Sequence, residues 1–268
     1  MEDRSIKQSN NALNIVAIGG GDVGTGETLP IDRELVRLTG VPRPRLLFVP
    51  TASDDSVDYA NAVAKTYSLL NCEVENLWLW GRDGSSEKAR SKVERADAVY
   101  VGGGNTKRML ERWRELGVDS MLTEHLRKGK PAGGVSAGAI CWFGVCNSDW
   151  PQYDGIPGVN TAPLQCLGLI DLSLCPHTAR EGFRLGEFRA MMSQLEGKVG
   201  IGLDDCCALQ VSDDRWRILS SVPQASAHRI AWQDGVLYES RIAARAEFAP
   251  LAALTDFREN GTRIARLT

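Results

Sequence analysis

Residues 131–143 read Pro-Ala-Gly-Gly-Val-Ser-Ala-Gly-Ala-Ile-Cys-Trp-Phe, with a single serine, Ser136, set among glycines and alanines. Gly134, Ser136 and Gly138 fit Gly-x-Ser-x-Gly, the pattern of a sharp turn from a strand into a helix. Glycines two positions to either side let the backbone cramp and let neighbouring elements approach closely. Such a turn holds the hydroxyl at a strand end, beside the unpaired N–H groups that open the next helix. An ordinary tight turn with an incidental serine also satisfies five residues, so the decision falls to the rest of the chain.

Working outward, the strand that this turn requires has company. Residues 13–18 (LNIVAI) form a short apolar run that stops at glycines, the mark of a buried strand. Residues 46–49, 73–80 and 96–101 are read as further strands. The segments 31–39, 57–70, 86–94 and 120–128, and the stretch through Met109, Leu110, Trp113 and Leu116, are read as helices. This alternation predicts an α/β fold, a mainly parallel sheet with helices on both faces. Past the serine we expect a helix over 137–143 and a long Gly/Pro/Asn/Asp-rich loop over 147–166, a length often tied to function. A helix over 183–195, a strand over 199–203 and β-hairpins near the C-terminus (216–221, 229–232, 235–238) follow. No linker or repeat interrupts the chain, so 1–268 is read as a single domain with 1–12 as a flexible leader.

Composition excludes several classes. A net charge of -3 without a Lys/Arg-rich run argues against nucleic acid as a partner. The start lacks the apolar stretch of a secretory signal and no run of about eighteen apolar residues occurs, so no membrane is expected and the protein is read as cytoplasmic. The seven cysteines (72, 141, 146, 166, 175, 206, 207) show no paired C-x-x-C spacing, so they read as buried free thiols and no metal is expected. Gly19–Gly24 formally matches Gly-x-Gly-x-x-Gly. However, Gly26 and Pro30 delay the next helix, and the second strand ends in Pro50-Thr51 rather than an acid. We therefore read this loop as lining a pocket, with no nucleotide cofactor.

A serine becomes a nucleophile only when a base takes its proton and an acid orients that base. Of three histidines, His125 lies in the charged stretch TEHLRK and reads as a solvated face residue, and His228 has no clear context. His177 follows Leu-Cys-Pro at the end of an apolar run, where an α/β protein presents functional groups. Asp204 and Asp205 follow Val-Gly-Ile-Gly-Leu at another strand end. Side chains alternate along an extended chain, so one of the two is expected to face the histidine. The N–H of Ala137 and one from the turn 102–104 are candidate oxyanion donors.

Four stretches then combine into a resemblance: VGGGNT (Val101–Thr106), GGVSAGAICWF (Gly133–Phe143), CPHT (Cys175–Thr178) and GLDDCCAL (Gly202–Leu209). In this order they resemble the S51 serine peptidases, the peptidase E (aspartyl dipeptidase) group with cyanophycinase as a relative. The resemblance implies a class I glutamine amidotransferase-like (flavodoxin-like) fold with serine in place of cysteine at the turn. It further implies Ser136 as nucleophile, His177 as base and Asp205, ahead of Asp204, as the acid. Gly104 and Ala137 would form the oxyanion hole, and Asn105 would lie in the substrate pocket. Arg184, ahead of Arg180 and Arg189, would read an aspartyl side chain. The implied substrate is a small peptide, with N-terminal aspartate as the named option, no cofactor is needed, and a homodimer is compatible with the pattern. A cyanophycinase-like β-aspartyl hydrolase and a catalytically silent binding domain are the alternatives.

Overall fold

The structure, a computed structural model, describes residues 13–256 and 262–266; the segment 1–12 read as a flexible leader lies outside them. Strand β1 (Asn14–Ile18) leads through a glycine-rich turn to α1 (Leu29–Leu38). Then come β2 (Arg45–Val49), α2 (Val57–Leu69), β3 (Glu73–Asn76), α3 (Ser86–Arg95), β4 (Ala98–Val101), α4 (Thr106–Leu116), α5 (Val118–Arg127) and β5 (Ala132–Val135). These five strands lie parallel in the order β1-β5-β4-β2-β3.

Strict alternation along the strands sorts the two faces. Ile15, Ala17, Leu47, Val49, Val99 and Val101 pack with α3, α4 and α5 through Val93, Trp113 and Leu122. Val16, Ile18, Leu46, Phe48, Ala98 and Tyr100 pack with α1 and α2 through Leu35, Val63 and Tyr67. Both faces are therefore covered, as the apolar runs require of a buried parallel sheet. β3 stops four residues short of the expected end. The amides of Trp78 and Trp80 are taken by the carboxylates of Asp83 and Asp55 rather than by a neighbouring strand.

After Ser136, α6 (Ala137–Ile140) is a single turn, shorter than expected. The stretch 147–166, expected as a loop, holds structure of its own: β6 (Val145–Ser148), α7 (Trp150–Tyr153) and β7 (Ala162–Gln165), the two strands pairing antiparallel. Then follow β8 (Ser173–Cys175), α8 (Arg184–Met192), β9 (Val199–Leu203), β10 (Cys207–Ser212), β11 (Arg215–Ser220), β12 (Ser226–Gln233), β13 (Val236–Ala243), β14 (Ala249–Pro250), α9 (Leu251–Thr255) and β15 (Thr262–Arg266). The hairpin β10–β11 joins the main sheet antiparallel beside β1, with β14 at its edge. The hairpin β12–β13 instead belongs to a second sheet, ordered β15-β13-β12-β9-β8. One face of that sheet shares the main core through Ile201, Leu203 and Ala227. The other is capped by α8 through Phe188 and Met192. The seven cysteines are free and buried. Burial pushes the thiols of Cys141, Cys146, Cys175 and Cys207 well up, and that of Cys72 to about 11.

Candidate active site

Ser136 sits between the C-terminal end of β5 and the first turn of α6, at φ 55° and ψ −110°, a backbone conformation rare outside glycine. The elbow forms because its glycines admit neighbouring backbone: a Cβ on Gly138 would lie 2.1 Å from Val101 O at the end of β4. The Gly102–Gly104 turn after β4 therefore abuts the serine, and a Cβ on Gly103 would sit 3.4 Å from Ser136 Cβ. Tyr59, whose phenol burial pushes up to about 12, accepts the Gly103 N–H at 3.3 Å and fixes this turn from α2.

The chain places His177 after β8, also at positive φ (58°). Its Nδ1 lies 2.8 Å from Asp205 Oδ1 and its Nε2 lies 2.9 Å from Ser136 Oγ. A carboxylate only accepts, so Nδ1 carries the hydrogen and Nε2 accepts from the serine hydroxyl. Asp205 is thus the acid that meets the histidine. Its neighbour Asp204 turns away, accepting from Thr178 Oγ1 at 2.7 Å, Ser226 N at 3.0 Å and Ser226 Oγ at 3.1 Å. Burial pushes the Asp204 carboxyl up, but its hydrogen bonds with His228, Thr178 and Ser226 outweigh this and hold it at about 2.

The glycine-rich turn after β1 proves to be scaffolding. Gly19 O accepts from His177 N at 3.2 Å, Gly20 O from Cys206 N at 2.9 Å, and Gly19 N donates to Cys207 O at 2.8 Å. This stitches the histidine loop to the aspartate loop. A Cβ on Gly20 would lie 1.8 Å from Asp205 Oδ1 and 2.5 Å from His177 Nδ1, so only glycine leaves room for their hydrogen bond. In the sequence this role had one trace, a glycine run at a strand end; Tyr59 left none.

Among the described residues neither the Gly104 nor the Ala137 N–H donates to a protein acceptor, and Ala137 opens α6 directly after the serine. Asn105 caps α4, its Oδ1 accepting the Arg108 N–H at 3.1 Å. Arg184 departs from expectation. Its side chain is 0% exposed, with Glu181 at 2.7 Å and Asp149 at 3.3 Å. Its Nη1 is buried without a partner among the described residues. Two carboxylates from this chain hold the guanidinium that a substrate carboxylate was expected to meet. Arg189 is likewise committed, in a two-toothed pair with Glu239, while Arg180 is exposed on the turn after His177. No cluster of His, Cys, Asp or Glu among the described residues could hold a metal ion.

A family model described as Peptidase family S51 matches residues 15–219. The chain belongs to peptidase family S51. This S51 chain is 34% identical over 220 residues to the uncharacterized peptidase YgaJ of Bacillus subtilis (strain 168), a match spanning 81% of this chain and 91% of that protein. It is 26% identical over 212 residues to a peptidase E of Shewanella denitrificans, spanning 77% and 85%. Its fold is shared with the crystal structure of a putative peptidase E protein from Listeria monocytogenes EGD-e (TM-score 0.60, 22% identity, 78% and 98% covered). A peptidase from an acI-B1 Actinobacterium is also similar (TM-score 0.67, 17% identity, 91% and 98% covered). No helix among the described residues of this S51 chain is long and apolar enough to cross a membrane.

Proposed function

We infer that the chain is a serine peptidase acting on short peptides. The observation that carries this reading is the continuous hydrogen-bond series Ser136–His177–Asp205, at 2.9 and 2.8 Å. Ser136 Oγ attacks the scissile carbonyl as its proton passes to His177 Nε2. Asp205 holds the ring in the required tautomer and stabilises the imidazolium. The oxyanion rests on the N–H groups of Gly104 and Ala137, whose donors need no reorganisation. His177 then hands its proton to the leaving amine, and water, activated by the same nitrogen, releases the acyl group. Asn105, from the N-cap of α4, borders the substrate beside Gly104.

A substrate carboxylate would have to displace Glu181 or Asp149 from Arg184. The reading therefore takes short peptides as the substrate class without assigning an aspartyl preference to that residue.

The test is hydrolysis of a dipeptide panel (Asp-X, Glu-X, Ala-X, β-Asp-Arg) by the wild type and Ser136→Ala in parallel. Cleavage of at least one member that falls by about 10⁴-fold or more in the variant is expected. Cleavage unchanged by the substitution would refute the nucleophile assignment, and the preferred member names the substrate branch.

A further inference from the structure

His177 is held at φ 58°, a conformation that a non-glycine residue keeps only when its surroundings over-determine it. Its own backbone N–H bonds to Gly19 O, and its imidazole bonds to Asp205. The next residue repeats the pattern. Thr178 donates its N–H to Leu203 O at 3.1 Å and its hydroxyl to Asp204 Oδ1 at 2.7 Å. Two adjacent residues of the histidine loop are thus latched to two adjacent aspartates, His177 to Asp205 and Thr178 to Asp204.

The second latch is anchored elsewhere. Asp204 is 4% exposed, and its Oδ2 accepts both the N–H and the hydroxyl of Ser226, the first residue of β12. Ser226 Oγ in turn accepts from Arg241 Nε of β13 at 2.6 Å. His228 of β12 brings Nε2 to 3.4 Å from Asp204 Oδ1, with its Nδ1 3.9 Å from Glu239 of β13. Every one of these anchors lies beyond residue 219, where the family match ends.

We propose that Asp204, with Thr178 and Ser226, is a positioning unit for the catalytic histidine, and that the hairpin β12–β13 is thereby part of the active-site architecture. None of the three touches the reacting atoms. They act by holding the imidazole in line between Ser136 and Asp205. The proposal rests on the serine-peptidase reading.

The experiment compares Thr178→Val, Thr178→Ser and Ser226→Ala with the wild type, well below their melting temperatures. It measures kcat, KM and the rate at which a fluorophosphonate acylates Ser136. Thr178→Val keeps the shape and removes the hydroxyl. It is expected to lower kcat and the acylation rate together by about 10- to 100-fold with KM within about two-fold, as a small misplacement of a catalytic group does. Thr178→Ser restores the hydroxyl and should return both rates to within about three-fold of the wild type, a rescue that a purely packing role would not give. Ser226→Ala, remote from the chemistry, should lower both rates by about 3- to 10-fold and supplies the answer if the valine variant does not fold. Wild-type rates in Thr178→Val, serine as impaired as valine, or an unaffected Ser226→Ala would each overturn the positioning role. Fluorophosphonate labelling that persists in Ser136→Ala would instead bring down the serine-peptidase reading, and this proposal with it.

Discussion

Ser136 and His177 both occupy positive φ, and conformations of this kind cost on the order of 1–3 kcal/mol each for a non-glycine residue. The surroundings hold them there by close approach and hydrogen bonds, and the tightest approach is at Gly20. Adding one methyl would place carbon 1.8 Å from Asp205 Oδ1. Gly20→Ala should therefore cut kcat by about 100-fold or more, with KM changed much less, because the imidazole loses its orientation rather than the substrate its contacts. Steady-state kinetics on the best dipeptide decides this, and a variant as fast as the wild type would show that the loop has slack which the 1.8 Å approach denies. At this scale the serine was legible because the elbow needs small residues at fixed spacing, and the histidine because so few candidates existed. The choice between Asp204 and Asp205 was not legible in the residue pattern, and Asp205 was favoured by the resemblance alone. It is decided by Ser226, twenty-two residues after Asp204, whose pairing partner no local pattern reveals. The burial of Arg184 was equally hidden, since it depends on Asp149, thirty-five residues earlier.

Among the elements, α1 carries a charge into the core. Asp32 is fully buried, and burial pushes its carboxyl up to about 6 despite hydrogen bonds from Thr28 Oγ1 at 2.8 Å and Tyr67 at 2.9 Å. The folded state therefore holds the Asp32 proton to higher pH than the unfolded chain does. Asp32 costs stability once ionised, and the cost appears as pH rises from about 4 to about 6. Asp32→Asn should remove that cost. The stability difference, variant minus wild type, is expected to grow by on the order of 3 kcal/mol across this window in urea titrations at stepped pH. A difference that shrinks with rising pH would mean that Asp32 is ionised in the fold and stabilising. The elements themselves were legible where burial leaves a continuous apolar run, as in β1, β2 and β4, or a helical period, as in the apolar face of α4 formed by Met109, Leu110 and Trp113. They were illegible where side chains compete for the backbone, as at Trp78 and Trp80. The hairpin inside 147–166 was missed because β7, Ala162–Gln165, is short and half-exposed and leaves no strong alternation.

For the whole molecule, the parallel core could be read from the chain, but the existence of two sheets could not. β9 and β10 are separated by three residues, yet they lie in different sheets, β9 between β8 and β12 and β10 between β1 and β11. His125 was expected to be solvated, but it is 3% exposed, with Nε2 3.2 Å from Pro131 O, and burial lowers its pKa to about 4. The unfolded chain binds this proton at higher pH, so the stability from a neutral His125 is fully present above about 6.5 and is lost as pH falls toward 4, by on the order of 3 kcal/mol. Asp32 runs in the opposite direction over much of the same range. The double comparison follows: in Asp32→Asn the melting temperature should fall more steeply between pH 6.5 and 4 than in the wild type, and His125→Gln should flatten it. Calorimetry across this range checks both slopes, and parallel curves for all three proteins would contradict the assignment. The buried thiols carry a practical consequence. A chain whose seven thiols are all tucked inside, and at Cys141, Cys146, Cys175 and Cys207 are reluctant to ionise, offers iodoacetamide almost nothing to alkylate while native. It can be purified in air without reductant, and iodoacetamide followed by intact-mass measurement should leave the native chain unmodified and label all seven cysteines once it is unfolded.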